Sequence, residues 1–166
     1  MESWPVYADR GVRAALTVIP ACADIYSRGP GLVRSPFLMP KILIADDSPV
    51  QRQLLASFLS PKGFEAVFAV DALQAWMAAL RSAPQLILLD INMPGGTGIE
   101  VLKRLRMSTK TQHIPVIVVS GEENPATEAM VRSLGAVGFL HKPVQEEQLC
   151  AAVDLALHPV PHAAQQ

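Results

Sequence analysis

At 166 residues the chain is long enough for one domain with a proper core and too short for two comfortable ones. Half of its residues are hydrophobic, which excludes a disordered chain, and a formal net charge of −1 gives no general electrostatic reason to bind nucleic acid or an anionic membrane. Cys22 and Cys150 have no metal-like spacing, so a reduced, cytoplasmic protein is expected rather than a disulfide-stapled secreted one.

Residues 1–38 carry Pro5, Pro20, Pro30 and Pro36 with Gly29 and Gly31, and show neither alternation nor a helical period. They read as a mostly disordered N-terminal extension, or as sequence upstream of a true start at Met39. The stretch from Gly11 to Tyr26 is broken by Arg13, Pro20 and Asp24, so no membrane-spanning helix is predicted. Glu2 and Asp9 spoil the basic start of a signal peptide.

From Lys41 the chain alternates strand and helix patterns. Lys41–Ala45 is a short apolar strand ending in Asp46-Asp47. Ser48-Pro49 then marks a helix start, a capping hydroxyl followed by proline at the first helical position. The helix over 49–60 places Val50, Leu54, Leu55, Phe58 and Leu59 on one side, and Pro61 and Gly63 end it. Residues 64–69 alternate as a strand. Asp71 caps a second helix through Arg81, with Leu73, Trp76, Met77 and Leu80 expected inward.

Residues 85–89 form the central strand, an apolar run that meets Asp90 and the turn residues Pro94-Gly95-Gly96. A helix over 99–107 follows, with an outer basic edge of Lys103, Arg104 and Arg106 read as a solvated face. Residues 115–119 make a fourth strand ending at Ser120-Gly121. A helix over 126–134 stops at Gly135, a natural left-handed cap. Residues 137–140 make a fifth strand, followed by His141-Lys142-Pro143, a last helix over 145–157 and a short tail at 159–166. Five strands alternating with five helices predict an α/β fold, a doubly wound parallel sheet with helices on both faces.

The strand ends carry the chemistry. Asp46, Asp47, Asp90, Ser120 and Lys142 all fall at the carboxyl edge of the predicted sheet, where such folds bind ligands. Three carboxylates that close repel one another unless a cation lies among them. An oxygen-rich cluster with few protein ligands suits Mg²⁺. Acid cluster, metal, lysine and hydroxyl around one carboxylate are what phosphoryl transfer onto an aspartate needs. Taken singly, these residues have plainer roles. Asp46 and Asp47 would help cap a helix, Asp90 would form a turn, Ser120 would bond local backbone, Lys142 would be solvated and Phe139 would be core. His113 and His141 have no second ligand nearby in sequence and read as surface histidines.

Ile44-Ala45-Asp46-Asp47-Ser48, Leu89-Asp90-Ile91-Asn92-Met93-Pro94, Val119-Ser120-Gly121 and Phe139-Leu140-His141-Lys142-Pro143 stand in one order along the chain. Together they make the segment from Met39 to about 158 resemble the receiver domain of two-component response regulators, of the stand-alone chemotaxis type. The resemblance implies a flavodoxin-like sheet of strand order 2-1-3-4-5. It implies that Asp90 accepts a phosphoryl group from a sensor histidine kinase or phosphotransfer protein. Asp47, Asp90 and the Asn92 backbone carbonyl would bind Mg²⁺, and Asp46 would help through water. Lys142 would pair with the acceptor and then with the phosphoryl oxygens. Ser120 and Phe139 would act as the switch pair, and the Lys142-Pro143 bond would be cis.

Thr97, Val144 and Ala72 depart from the residues commonest in that family; they lie off the acidic site and bear on loop rigidity or partner surfaces. The chain ends soon after the last helix, so output is expected through a downstream protein, with no direct contact to nucleic acid and no membrane insertion. Such a phosphoacceptor is not an enzyme by role, although slow autophosphatase activity is implied. Two readings from other classes compete with it. One is a receiver-like interaction module that takes no phosphate, which would have lost an acidic or lysine position. The other is a Mg²⁺-dependent aspartyl phosphatase, which would carry an Asp-x-Asp nucleophile and a cap region. Neither signature is in this sequence.

Overall fold

The computed structural model describes residues 39–122 and 124–158. The expected extension at 1–38 and tail at 159–166 lie outside the described residues. The elements run β1 (Lys41–Ala45), α1 (Pro49–Leu59), β2 (Glu65–Ala69), α2 (Ala72–Ser82), β3 (Leu86–Leu89), α3 (Gly98–Met107), β4 (Val116–Ser120), α4 (Pro125–Ser133), β5 (Gly138–His141) and α5 (Glu146–Leu157). Element types agree with the sequence pattern throughout, and most boundaries shift by no more than a single residue. One 3₁₀ turn, Ser60–Lys62, extends α1 through Pro61, and Gly63 ends it at φ 84°. The strands form one parallel sheet in the order β2-β1-β3-β4-β5.

β1, β3 and β4 are buried on both faces, as their uninterrupted apolar runs require. Leu43, Ala45, Ile87, Leu89, Val116 and Val118 point to one side, into a cluster with Val101, Leu102 and Leu105 of α3, Val131 of α4 and the alanines of α2. The alternate residues, Ile42, Ile44, Leu88 and Ile117 among them, are equally buried on the other face, where α1 and α5 pack against each other. Each fully buried Leu or Ile contributes about 1.5–3 kcal/mol relative to an exposed one.

Two helices turn a different face inward from the one their large residues suggest. On α2, Ala72, Ala75 and Ala79 are buried, whereas Leu73 is 60 % and Met77 37 % exposed, and Trp76 is only partly covered. Small side chains let this helix lie close to the sheet and to α3. On α1, Leu55 and Leu59 are buried as expected, but Val50 is 73 % exposed and Leu54 stands at the surface. The helix caps follow the sequence reading: Ser48 accepts from the Gln51 amide, Asp71 from the Gln74 amide, and Gly135 takes φ 94° after α4.

Arg106 is not part of a solvated basic edge. Its guanidinium donates to the carbonyls of Gln112, Ile114 and Gly135 at 3.0, 2.9 and 2.9 Å, tying α3 to the approach of β4 and to the turn before β5. Burial pulls its pKa down from the ordinary arginine value. Val144 and Ala72, expected to bear on partner surfaces or loop rigidity, are both buried and shape packing instead. Thr97 does stiffen its loop. Its hydroxyl accepts from the Glu100 amide while the Glu100 carboxylate accepts from the Thr97 amide, a reciprocal cap on α3. His113 and His141 are exposed, as read from the sequence.

Candidate phosphoacceptor site

The sheet register carries the site. Hydrogen bonds between neighbouring strands hold the strand-end residues level: Asp46 N–H donates to Ala69 O, Asp90 N–H to Ala45 O and Lys142 N–H to Ser120 O. Asp46, Asp90, Ser120 and Lys142 therefore line one edge across β1, β3, β4 and β5. Asp46 and Asp90 are 1 % and 4 % exposed and Ser120 is fully buried, while Asp47 stands at the surface.

Lys142 binds both buried acids. Its Nζ lies 2.7 Å from Asp46 Oδ2 and 3.0 Å from Asp90 Oδ2. The Lys142-Pro143 peptide is cis, as expected. Asp46 is fixed from two further directions. Its Oδ1 accepts from the Ser48 amide at 2.8 Å, and its backbone carbonyl accepts from the Arg52 guanidinium. In the sequence, only its place one turn into the helix that follows Asp46-Asp47 points to Arg52. Gly98 carries no such signal. A Cβ there would meet the Asp90 carbonyl oxygen at 2.0 Å, so only glycine lets the start of α3 fold back on the backbone of the acidic strand end.

Burial raises the Asp90 carboxyl above its ordinary pKa. The Lys142 ammonium opposes the shift, the Asp46 charge adds to it, and the Asn92 backbone amide favours the ionised form. For Lys142, burial alone would lower the pKa, but its two carboxylate partners outweigh burial and the ammonium is held above its ordinary value. The two shifts agree: desolvation wins at the single carboxylate, pairing wins at the cation shared by two.

The donor set fits a divalent cation. Asp46, Asp47 and Asp90 each offer a carboxylate oxygen, and these atoms lie within 4.8 Å of one another. Asp90 Oδ1 is buried with no hydrogen-bond partner, an orphaned acceptor that a bound cation would satisfy. Three carboxylates against one ammonium leave an excess of two negative charges, and all-oxygen ligands suit Mg²⁺.

Ser120 and Phe139 sit where the sequence reading expected them. The Ser120 hydroxyl accepts from the Glu122 amide at 3.1 Å, so in this arrangement it serves local backbone. Phe139 is half-buried against the core cluster, with its ring 4.9 Å from that of His141. His141 Nε2 in turn lies 4.0 Å from the Glu128 carboxylate on α4.

Residues 42–154 match the response regulator receiver domain family. The chain belongs to it. This receiver domain is 32 % identical over 119 residues to Protein PilH of Pseudomonas aeruginosa, a match covering 72 % of the chain and 98 % of PilH. It is 34 % identical over 113 residues to Response regulator PleD of Caulobacter vibrioides, covering 68 % of the chain but 25 % of PleD. Among solved structures, chemotaxis protein CheY4 of Vibrio cholerae superimposes with a TM-score of 0.68 at 32 % identity, over 72 % of this chain and all of that one. The receiver family serves phosphorelay signalling through two-component response regulators. Among the described residues of this receiver, no helix is long and apolar enough to cross a membrane.

Proposed function

We propose that this receiver accepts a phosphoryl group on Asp90 from a histidine kinase or phosphotransfer protein and signals through phosphorylation-dependent contacts with another protein. The observation that carries this reading is the state of Asp90. It is a buried carboxylate with one oxygen 3.0 Å from an ammonium and the other without a partner, beside two further acids.

An Asp90 carboxylate oxygen attacks the phosphorus of the donor, the donor's P–N bond breaks, and the imidazole departs with the electron pair. Asp46, Asp47, Asp90 and the Asn92 carbonyl would hold Mg²⁺ beside the acceptor. Bound there, the ion would neutralise charge on the phosphoryl oxygens. Lys142 first pairs with Asp90 and then follows the new charge to a phosphoryl oxygen. Ser120 turns its hydroxyl from the Glu122 amide toward another of those oxygens, and Phe139 moves inward into the space this opens. The surface formed by α4, β5 and α5 changes with them, a local charge event read out by a two-state element. Water attacking the acyl phosphate reverses the step slowly. The matches span nearly all of PilH and CheY4, which supports an output made by the receiver's own contacts; a cytoplasmic location belongs to the same reading.

Incubation with Mg²⁺ and a small phosphodonor will label the protein, and Asp90→Asn will abolish the label. Equal labelling of the variant would overturn Asp90 as acceptor. Rapid turnover of unrelated phosphomonoesters would favour the phosphatase instead.

A further inference from the structure

The connection between β4 and α4 holds a half-buried relay that the phosphoacceptor chemistry does not use. Thr127 lies in the first turn of α4 and is only 6 % exposed. Its hydroxyl donates to Glu122 Oε1 at 2.8 Å. The backbone amide of the same Glu122 donates to Ser120 Oγ. One residue thus joins the switch hydroxyl, through its amide, to helix α4, through its carboxylate. The start of α4 is itself anchored: Asn124 accepts from the Ala126 amide with its side chain and from the Thr127 amide with its carbonyl.

A bond between a hydroxyl and a carboxylate in a half-buried place is stronger than one between neutral partners. Such a bond biases whichever arrangement contains it. In the arrangement seen here the Ser120 hydroxyl is held by Glu122, and Glu122 is held by Thr127. For the hydroxyl to leave for a phosphoryl oxygen, the Glu122 amide must lose its acceptor, and Glu122 must shift while its carboxylate is tied to α4. Among the described residues, the charged groups of α4 itself are already engaged. Glu128 pairs with Arg132 at 2.8 Å and faces His141, so neither competes for the Thr127 hydroxyl.

We propose that Thr127 is a positioning residue which, through Glu122, holds the Ser120 hydroxyl in its resting direction and so sets how readily the receiver takes up its phosphorylated arrangement. The proposal rests on Asp90 as phosphoacceptor. It adds a residue one element away whose hydroxyl opposes the switch.

Thr127→Val keeps the branched shape and removes only the hydroxyl. Two readouts decide the matter. The first is the affinity for beryllium fluoride with Mg²⁺, a mimic of the aspartyl phosphate. The variant is expected to bind about tenfold more tightly, the factor that loss of one charge-assisted hydrogen bond from the competing arrangement supplies. The second is hydrogen exchange of the Glu122 amide in the protein without Mg²⁺ or fluoride, expected to be faster in Thr127→Val and restored by Thr127→Ser. Glu122→Ala should match the affinity gain, and the double variant should add nothing to it.

Unchanged or weaker binding by a folded Thr127→Val overturns the proposal, because simple loosening of α4 does not favour the liganded state. Unchanged Glu122 exchange overturns it equally. Should Thr127→Val fail to fold, Glu122→Ala carries the same affinity test. If the wild type neither labels nor binds beryllium fluoride, the phosphoacceptor reading itself fails. The exchange comparison then still decides whether Thr127 holds the Ser120–Glu122 connection.

Discussion

Lys142 reaches across the sheet edge to Asp46, and at 2.7 Å this pair is closer than the ammonium's contact with Asp90. The lysine is therefore a shared counter-ion for two buried acids. Lys142→Met leaves both carboxylates without their cation. Removing one partner of a buried ion pair is expected to destabilise the protein by about 3 kcal/mol near neutral pH in the absence of Mg²⁺. Labelling by a small phosphodonor should fall by roughly 10²-fold, since a charge that stabilises the transferring group is lost. Denaturant titration and the labelling rate check the two halves separately. In the wild type the Lys142 pKa is raised, so its contribution is complete below the ordinary lysine value and is lost as pH climbs through the higher folded value. Stability should therefore drop in the strongly alkaline range, and Lys142→Met should lack that drop.

Asp90 gives the opposite kind of test. Its carboxyl is raised by burial, so the folded protein binds that proton more tightly than the unfolded chain does. The stabilisation from this proton is present below the unfolded pKa and is lost as pH rises through the folded one; at neutral pH the buried charge is a liability. Asp90→Asn should raise the melting temperature of the metal-free protein at neutral pH by a few degrees. The gain should shrink toward zero as both proteins are taken to acid pH. Saturating Mg²⁺ should reduce or reverse the gain, because the wild type supplies an oxygen that the amide replaces poorly. A melting series against pH, with and without Mg²⁺, tests this; a pH-independent difference would contradict it.

The strands and the acidic edge were legible because burial on both faces demands long apolar runs, and each run stops at a polar residue. Leu86–Leu89 meeting Asp90 and Val116–Val119 meeting Ser120 state both the element and the site. Helix orientation was harder to read. Periodicity marks which residues share a face, but on α2 the alanines took the sheet because close approach favours small side chains, leaving Leu73 and Met77 outside. In sequence Arg106 is one of three basic residues on a helix edge, and nothing local separates a solvated guanidinium from one folded over three carbonyls. Gly98 and Arg52 were invisible for a related reason: each acts on backbone brought near by the fold.

Gly98→Ala tests that backbone approach. The added methyl would stand 2.0 Å from the Asp90 carbonyl oxygen and 2.9 Å from Ile91 Cα, both of them backbone atoms that cannot turn away. The amide of Gly98 also donates to Ile91 O at 2.8 Å, so the loop has little room to open without losing that bond. Alanine is ordinarily the better helix former, by about 1 kcal/mol. Here it should instead destabilise by about 3 kcal/mol, within the range of severe steric substitutions. Labelling should fall with it, as Asp90 is displaced. A variant as stable as the wild type would show that the loop yields freely.

Arg106 offers the complementary case, a residue that matters to the fold and not to the site. Its guanidinium caps carbonyls from Gln112, Ile114 and Gly135, and its side chain fills the space a Cβ at Gly135 would need, 2.9 Å from Nε. Arg106→Met keeps much of the aliphatic packing but removes the donors from three carbonyls. Bonds to a charged donor contribute more than neutral ones, and partial rescue by water leaves an expected cost of about 2–4 kcal/mol. Lysine cannot reproduce the planar fork and should recover less than half of the loss. Because these contacts lie away from the acidic edge, the folded fraction of either variant should take label on Asp90 at close to the wild-type rate. Denaturant curves paired with labelling of the folded protein separate the two effects, and slow labelling at full stability would place Arg106 in the site after all.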